Sequence, residues 1–210
     1  KRHLLALYDG KNEGPPHLTR LHKLAEMPLN YLGFILDFRD VNRPLPEGDD
    51  LNGYRGIVTW FTEPLDTPKS YLTWLEQATA RGPKYVQLGE IAPREADDMF
   101  PQINRILGRI GLEHMNNFVE LTHRAQIVSK DDAVVGFERK AGRVLPGFPL
   151  VTTRGGSARP HLIVEVPLSS GIQRSVLAAT SDAGGFVAQN YTVLLEPNTD
   201  RVGWLINPFE

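Results

Sequence analysis

Three acids follow or end three short apolar runs in the first half of the chain: Asp9 after His3–Tyr8, Glu63 after Gly56–Trp60, and Glu90 after Lys84–Gly89. If these runs are strands of an open α/β sheet, the loops beyond their carboxyl ends are where ligands sit. With Asn12 and Thr62 they form a polar rim, and Asp9, Trp60, Glu63 and Glu90 are its candidate ligand-binding residues. Two of these carboxylates sharing a cleft could also act as general acid and base. The plainer alternative is a set of solvated loops and a tryptophan that caps the core. A nucleophile on such a sheet needs a strained strand-to-helix elbow of the form G-x-[SC]-x-G. The corresponding turn is Leu88-Gly89-Glu90-Ile91-Ala92, where an acid holds the nucleophile's place and no histidine follows to complete a triad.

Other chemistries fail on residue type or spacing. The chain has no cysteine, which removes disulfides, thiolate metal sites and any Cys nucleophile. Asp9-Gly10-Lys11-Asn12-Glu13-Gly14 misses the G-x-G-x-x-G spacing and no phosphate-binding G-x-x-x-x-G-K-[ST] occurs, so no cofactor is expected. Of His3, His17, His22, His114, His123 and His161, no two stand four apart on one helix face, so no metal site is expected. The pairs Asp49-Asp50, Asp97-Asp98 and Asp131-Asp132 read as loop or helix-terminal charges. Phe186, Tyr191, Trp204 and Phe209 could stack on sugar rings, but alternate strand positions need such residues for the core.

The elements that must position the rim follow from periodicity. His3–Tyr8, Gly33–Phe38, Gly56–Trp60 and Lys84–Gly89 read as buried strands. A helix from His17 has Leu18, Leu21, Leu24 and Ala25 inward and should stop near Met27, before Pro28. Thr67 as N-cap and Pro68 at the first position open a second helix from about Lys69 to Arg81, closed by Gly82, and a third is expected from about Arg94 to Arg109, stopped by Gly111. From about His114 the grammar changes to short β-branched segments between turn residues: Val134–Glu138, Leu162–Val166, Ser175–Thr180, Phe186–Gln189, Thr192–Glu196 and Val202–Ile206. Ser181-Asp182-Ala183-Gly184-Gly185 is a hairpin connection. The expected class is α/β: a flavodoxin-like or class I glutamine-amidotransferase-like, mostly parallel sheet with a β-rich antiparallel C-terminal extension. With no linker composition between them, residues 1–113 and 114–210 are expected to form one domain.

Composition sets outer limits. The 210 residues carry 23 Lys+Arg and 25 Asp+Glu, a formal charge of −2, which leaves no basic excess for a nucleic acid or an anionic membrane surface. No apolar run reaches the length of a spanning helix. The chain opens on Lys1 rather than Met, which reads as a segment of a longer protein.

Glu26-Met27-Pro28-Leu29-Asn30-Tyr31-Leu32-Gly33, Gly184-Gly185-Phe186-Val187-Ala188-Gln189-Asn190-Tyr191 and Trp204-Leu205-Ile206-Asn207-Pro208-Phe209 together resemble the middle region of the periplasmic multidomain proteins that process the Pel exopolysaccharide. That resemblance implies a glutamine-amidotransferase-like or reductase-like domain between a glycoside hydrolase and a polysaccharide deacetylase. Catalytic carboxylates and metal ligands of that family belong to the flanking domains, so none transfers to this chain. The expected function is then a non-catalytic domain that positions its neighbours, docks a secretion partner or binds glycan, in the periplasm. Two alternatives stay open: a hydrolase or reductase working through Asp9, Glu63 and Glu90 beside Trp60, and a flavodoxin-like flavin mononucleotide protein.

Overall fold

A computed structural model describes residues 1–91, 97–120, 125–134 and 147–187. The chain forms two compact units, Lys1–Ile106 and the residues from Leu107 onward.

In the first unit, β1 (His3–Tyr8), β2 (Ile35–Asp40), β3 (Tyr54–Phe61) and β4 (Lys84–Gly89) lie in the order β2-β1-β3-β4, and every pairing is parallel. Parallel strands are covered on both faces, and their sequences accordingly read as continuous apolar runs. Leu5, Ala6, Leu7, Ile57, Val58, Trp60 and Phe61 are all buried. Strand alternation sends Ile57, Thr59 and Phe61 to one face and Val58 and Trp60 to the other. Helix α2 (Pro68–Ala80) covers the first face: Tyr71 packs edge-on against Phe61 with ring centroids 5.5 Å apart, and Leu72, Leu75 and Ala78 are buried beside it. On that face Thr59 Oγ1 and the Tyr85 hydroxyl share a hydrogen bond of 3.2 Å, and burial raises the Tyr85 phenol to about 12. The Tyr71 hydroxyl is buried beside this Thr59–Tyr85 pair, and burial pushes its pKa well above the ordinary phenol value.

Beside the other face, a π-helical stretch, Leu21–Glu26, buries Leu21 and Ala25 and runs directly into α1 (Met27–Tyr31). The helix therefore continues through Pro28 instead of stopping before it. Widening the turn ahead of the proline places the ring in the first turn of α1, where its missing N–H costs little. Leu18, expected inward, lies in a separate 3₁₀ turn and is exposed. Thr67 stands at the N-cap of α2, but its side chain makes no capping hydrogen bond. The third helix is shorter than expected: a 3₁₀ turn, Asp97–Met99, leads into α3 (Phe100–Ile110), and residues 92–96 lie outside the description.

The second unit is antiparallel. β6 (Gln126–Lys130), β8 (Arg159–Leu168), β9 (Gly171–Ser181) and β10 (Gly184–Val187) run in the order β10-β9-β8-β6, while β5 (Leu112–Val119) pairs with β7 (Phe148–Thr153). Ser175 of β9 is buried and its Oγ accepts the Val151 N–H of β7 at 3.0 Å, so this serine is a brace between strands. The β9–β10 hairpin turns through Asp182 and Ala183 as expected, with Gly184 at φ 150°. Strands β5, β6 and β7 were not legible in the sequence; in β5 the pair Asn116-Asn117 weakens the signal, and Asn116 adopts a positive φ of 52° at an irregularity in the ladder. Phe186 is buried and so offers no stacking face. Most of Val134–Glu138, and all of Thr192–Glu196, Val202–Ile206, Tyr191, Trp204 and Phe209, fall outside the described residues. The fold class is α/β, a parallel sheet covered by helices followed by a β-rich antiparallel half.

Candidate functional site

Asp9 leaves the carboxyl end of β1 and is only 4% exposed. Its Oδ1 accepts the Lys11 N–H at 3.1 Å and the Asn42 side-chain amide at 2.7 Å, and its Oδ2 accepts the Asn12 amide at 2.7 Å. Asp40 ends β2, the adjacent strand, and its Oδ1 receives the Gly10 N–H at 3.1 Å, the Asn42 N–H at 3.0 Å and the Asn42 side-chain amide at 2.8 Å. The two hydrogens of one amide thus bridge two carboxylates. Burial opposes ionisation of Asp40, but these donors outweigh it and hold its carboxyl below the usual value. Gly10 is required here: a Cβ would come within 2.4 Å of Asp40 Oδ2.

The loop after β1 is also fastened to the loop after β3. Lys11 pairs with Asp66, the Asn12 amide donates to the Pro64 carbonyl at 3.3 Å, and Arg20 donates to Thr62 Oγ1 at 2.6 Å. Beneath them Glu13 is largely enclosed, and burial pushes its carboxyl above the ordinary value despite the Asp9 N–H and the Arg20 charge. The strand ends therefore form a connected polar rim.

The four residues singled out from sequence meet different fates. Asp9 belongs to the rim, and both of its oxygens accept hydrogen bonds from the two loops it ties, so it pins the loops after β1 and β2 together. Trp60 is 4% exposed, and its indole Nε1 is buried without a partner among the described residues, so it is a core residue below the rim. Glu63 is exposed on the loop after β3. Glu90 sits on the elbow after β4 with its N–H donating to the Phe61 carbonyl at 3.1 Å. The preceding Gly89 has φ 75°, and a Cβ there would approach the Phe61 carbonyl oxygen to 2.6 Å, so the elbow is as tight as the sequence implied.

No family model and no curated protein sequence matches the chain. Two of the solved structures similar to it show the range of the likeness. One, a β-galactosidase from Rahnella sp. R3, is 12% identical with a TM-score of 0.48, over 88% of this chain and 28% of its own. The other, a glutamine amidotransferase from Thermotoga maritima, is 11% identical with a TM-score of 0.42, over 88% of this chain and 74% of its own. The chain thus spans little more than a quarter of the galactosidase, and the fold class rests on the strand order and register above.

Sequence reasoning missed Asp40, Asn42, Glu13 and Arg20. For the first two a signal exists: Asp40-Val41-Asn42 follows the second apolar run just as Asp9-Gly10-Lys11-Asn12 follows the first. Asp9 and Asp40 carry their own donors, and the described residues contain no group of three metal-ligating side chains.

Proposed function

We propose that the α/β half of this chain works by binding and positioning rather than by catalysis, as one domain of a larger periplasmic protein that processes an exopolysaccharide of the Pel type. The observation that carries this reading is the engagement of Asp9 and Asp40: their hydrogen-bonded oxygens fasten the loops after β1 and β2 to each other, and protonation would weaken the bonds that hold these loops together. Glu90 at the elbow supplies neither hydroxyl nor thiol. The exposed groups above the pins, Lys11, Glu63 and Asp66, offer donors and acceptors of the kind that recognise sugar hydroxyls. Flanking hydrolase and deacetylase domains, a secretion partner and the polysaccharide itself are the partners this assigns.

The test uses the full-length protein. Glu90→Gln and Glu63→Gln should leave the hydrolase and deacetylase rates unchanged, while amino-sugar oligosaccharides titrated calorimetrically should give heat that Glu63→Gln diminishes. A tenfold fall in either rate on Glu90→Gln would overturn the proposal, as would the absence both of heat and of cross-links to the neighbouring domains.

A further inference from the structure

A second polar row stands in the antiparallel unit, and nothing in the rim uses it. His161 on β8 is only 5% exposed. Its Nδ1 lies 2.9 Å from Asp131 Oδ2 and its Nε2 lies 2.6 Å from Thr180 Oγ1. The three residues come from neighbouring positions in the sheet: Asp131 directly follows β6 and donates its N–H to the His161 carbonyl at 2.8 Å, while Thr180 lies near the end of β9. The ladder is irregular at just this point. Pro160 pairs with Ala179 and Leu162 with Ala178, so His161 is the extra residue of a β-bulge, a device that re-aims a side chain.

The hydrogen bonds set the proton positions. An ionised carboxylate only accepts, and the hydrogen bond from His161, with the Ala133 N–H and Arg159, holds Asp131 below its ordinary value. Neutral His161 therefore carries its proton on Nδ1, leaving Nε2 to accept the hydroxyl proton of Thr180. Thr180 is exposed, unlike the imidazole behind it. Arg159, its partner in the ladder, donates to Asp131 Oδ2 at 3.1 Å and brings a guanidinium to the same row.

We propose that Thr180 is an activated nucleophile that accepts an acyl group from a carboxylic ester, with His161 as its general base and Asp131 as the positioning residue that fixes the imidazole. In the step, the Thr180 O–H proton passes to His161 Nε2 while Oγ bonds to the ester carbon. The bond to the departing alkoxide then breaks, and that oxygen takes the proton from Nε2, giving acyl-Thr180 and a free alcohol. Water repeats the sequence in the second half and restores the hydroxyl. The inference goes beyond the positioning role of the α/β half and stands on other residues, so either can fail alone.

The experiment treats the intact protein with excess p-nitrophenyl acetate and reads acetylation by mass and peptide mapping. Acetyl on Thr180 is expected, with Thr180→Val abolishing it, Thr180→Ser retaining it and His161→Gln slowing it about a hundredfold. Asp131→Asn should slow it and shift the dependence of its rate on pH, a change a merely structural aspartate would not cause. Label absent from Thr180, or equal rates with and without the imidazole in folded protein, would overturn the proposal. If His161→Gln does not fold, the Val and Ser variants decide: a nitrophenol release unchanged by Thr180→Val rejects the site.

Discussion

Asn42→Ala removes the one amide that bridges two carboxylates, and its cost can be worked from the geometry. Two charge-assisted hydrogen bonds vanish, at 2.7 Å to Asp9 and 2.8 Å to Asp40. Each such bond contributes about 1.5–3 kcal/mol when its partner is buried. Asp9 is 4% exposed and keeps two donors, whereas the Asp40 side chain is 16% exposed and can recruit water, which lowers the second loss. The expected destabilisation is about 3 kcal/mol, or about 6–12 °C in melting temperature for a chain of this size. Trp60 and Trp74 lie in the first unit, so their fluorescence reports its unfolding. The sign with pH is also determined. A carboxyl held below its ordinary value stabilises the fold above the unfolded pKa and loses that contribution as pH falls through the native one, so the gap between wild type and variant should be full at neutral pH and close in acid. A loss of under about 1 kcal/mol at neutral pH, or a gap that does not close, would refute the account of the rim.

Glu13→Gln should act with the opposite sense. Because burial holds its carboxyl above the ordinary value, ionisation opposes folding, so the variant should melt higher than wild type at neutral pH and match it in acid, as thermal scans across pH would register. Tyr71→Phe deletes a buried hydroxyl that stands beside the Thr59–Tyr85 hydrogen bond without good hydrogen-bond geometry of its own, and should change stability by no more than about 1 kcal/mol in urea titration. Gly89→Ala must adopt φ 75° and bring a methyl to 2.6 Å from a carbonyl oxygen, so it should cost at least about 2 kcal/mol by the same titration.

Much of the α/β half was legible because its signals are local. Lys84–Gly89 is the fourth strand with the expected bounds, and α2 begins at Pro68 and ends one residue before Arg81, since a fixed φ at the start and a glycine after the end act on their own neighbours. The turn at Asp182-Ala183 was legible for the same reason. The helix through Pro28 was not, because the π-helical turn that sets the proline into the first turn of α1 leaves no local signal in the sequence.

The sequence alone determined the alternation of strands and helices, the tight glycine elbow at Gly89, and the lack of any thiol and of the two glycine-rich phosphate motifs. Only the tertiary structure decided which acids are committed and which hydroxyl meets an imidazole. Asp9 meets Asn42 across 33 positions, and His161 meets Asp131 and Thr180 across 30 and 19. Those meetings depend on strand order, register and the bulge at His161, and a shift of one residue in a ladder would turn its side chains to the opposite face.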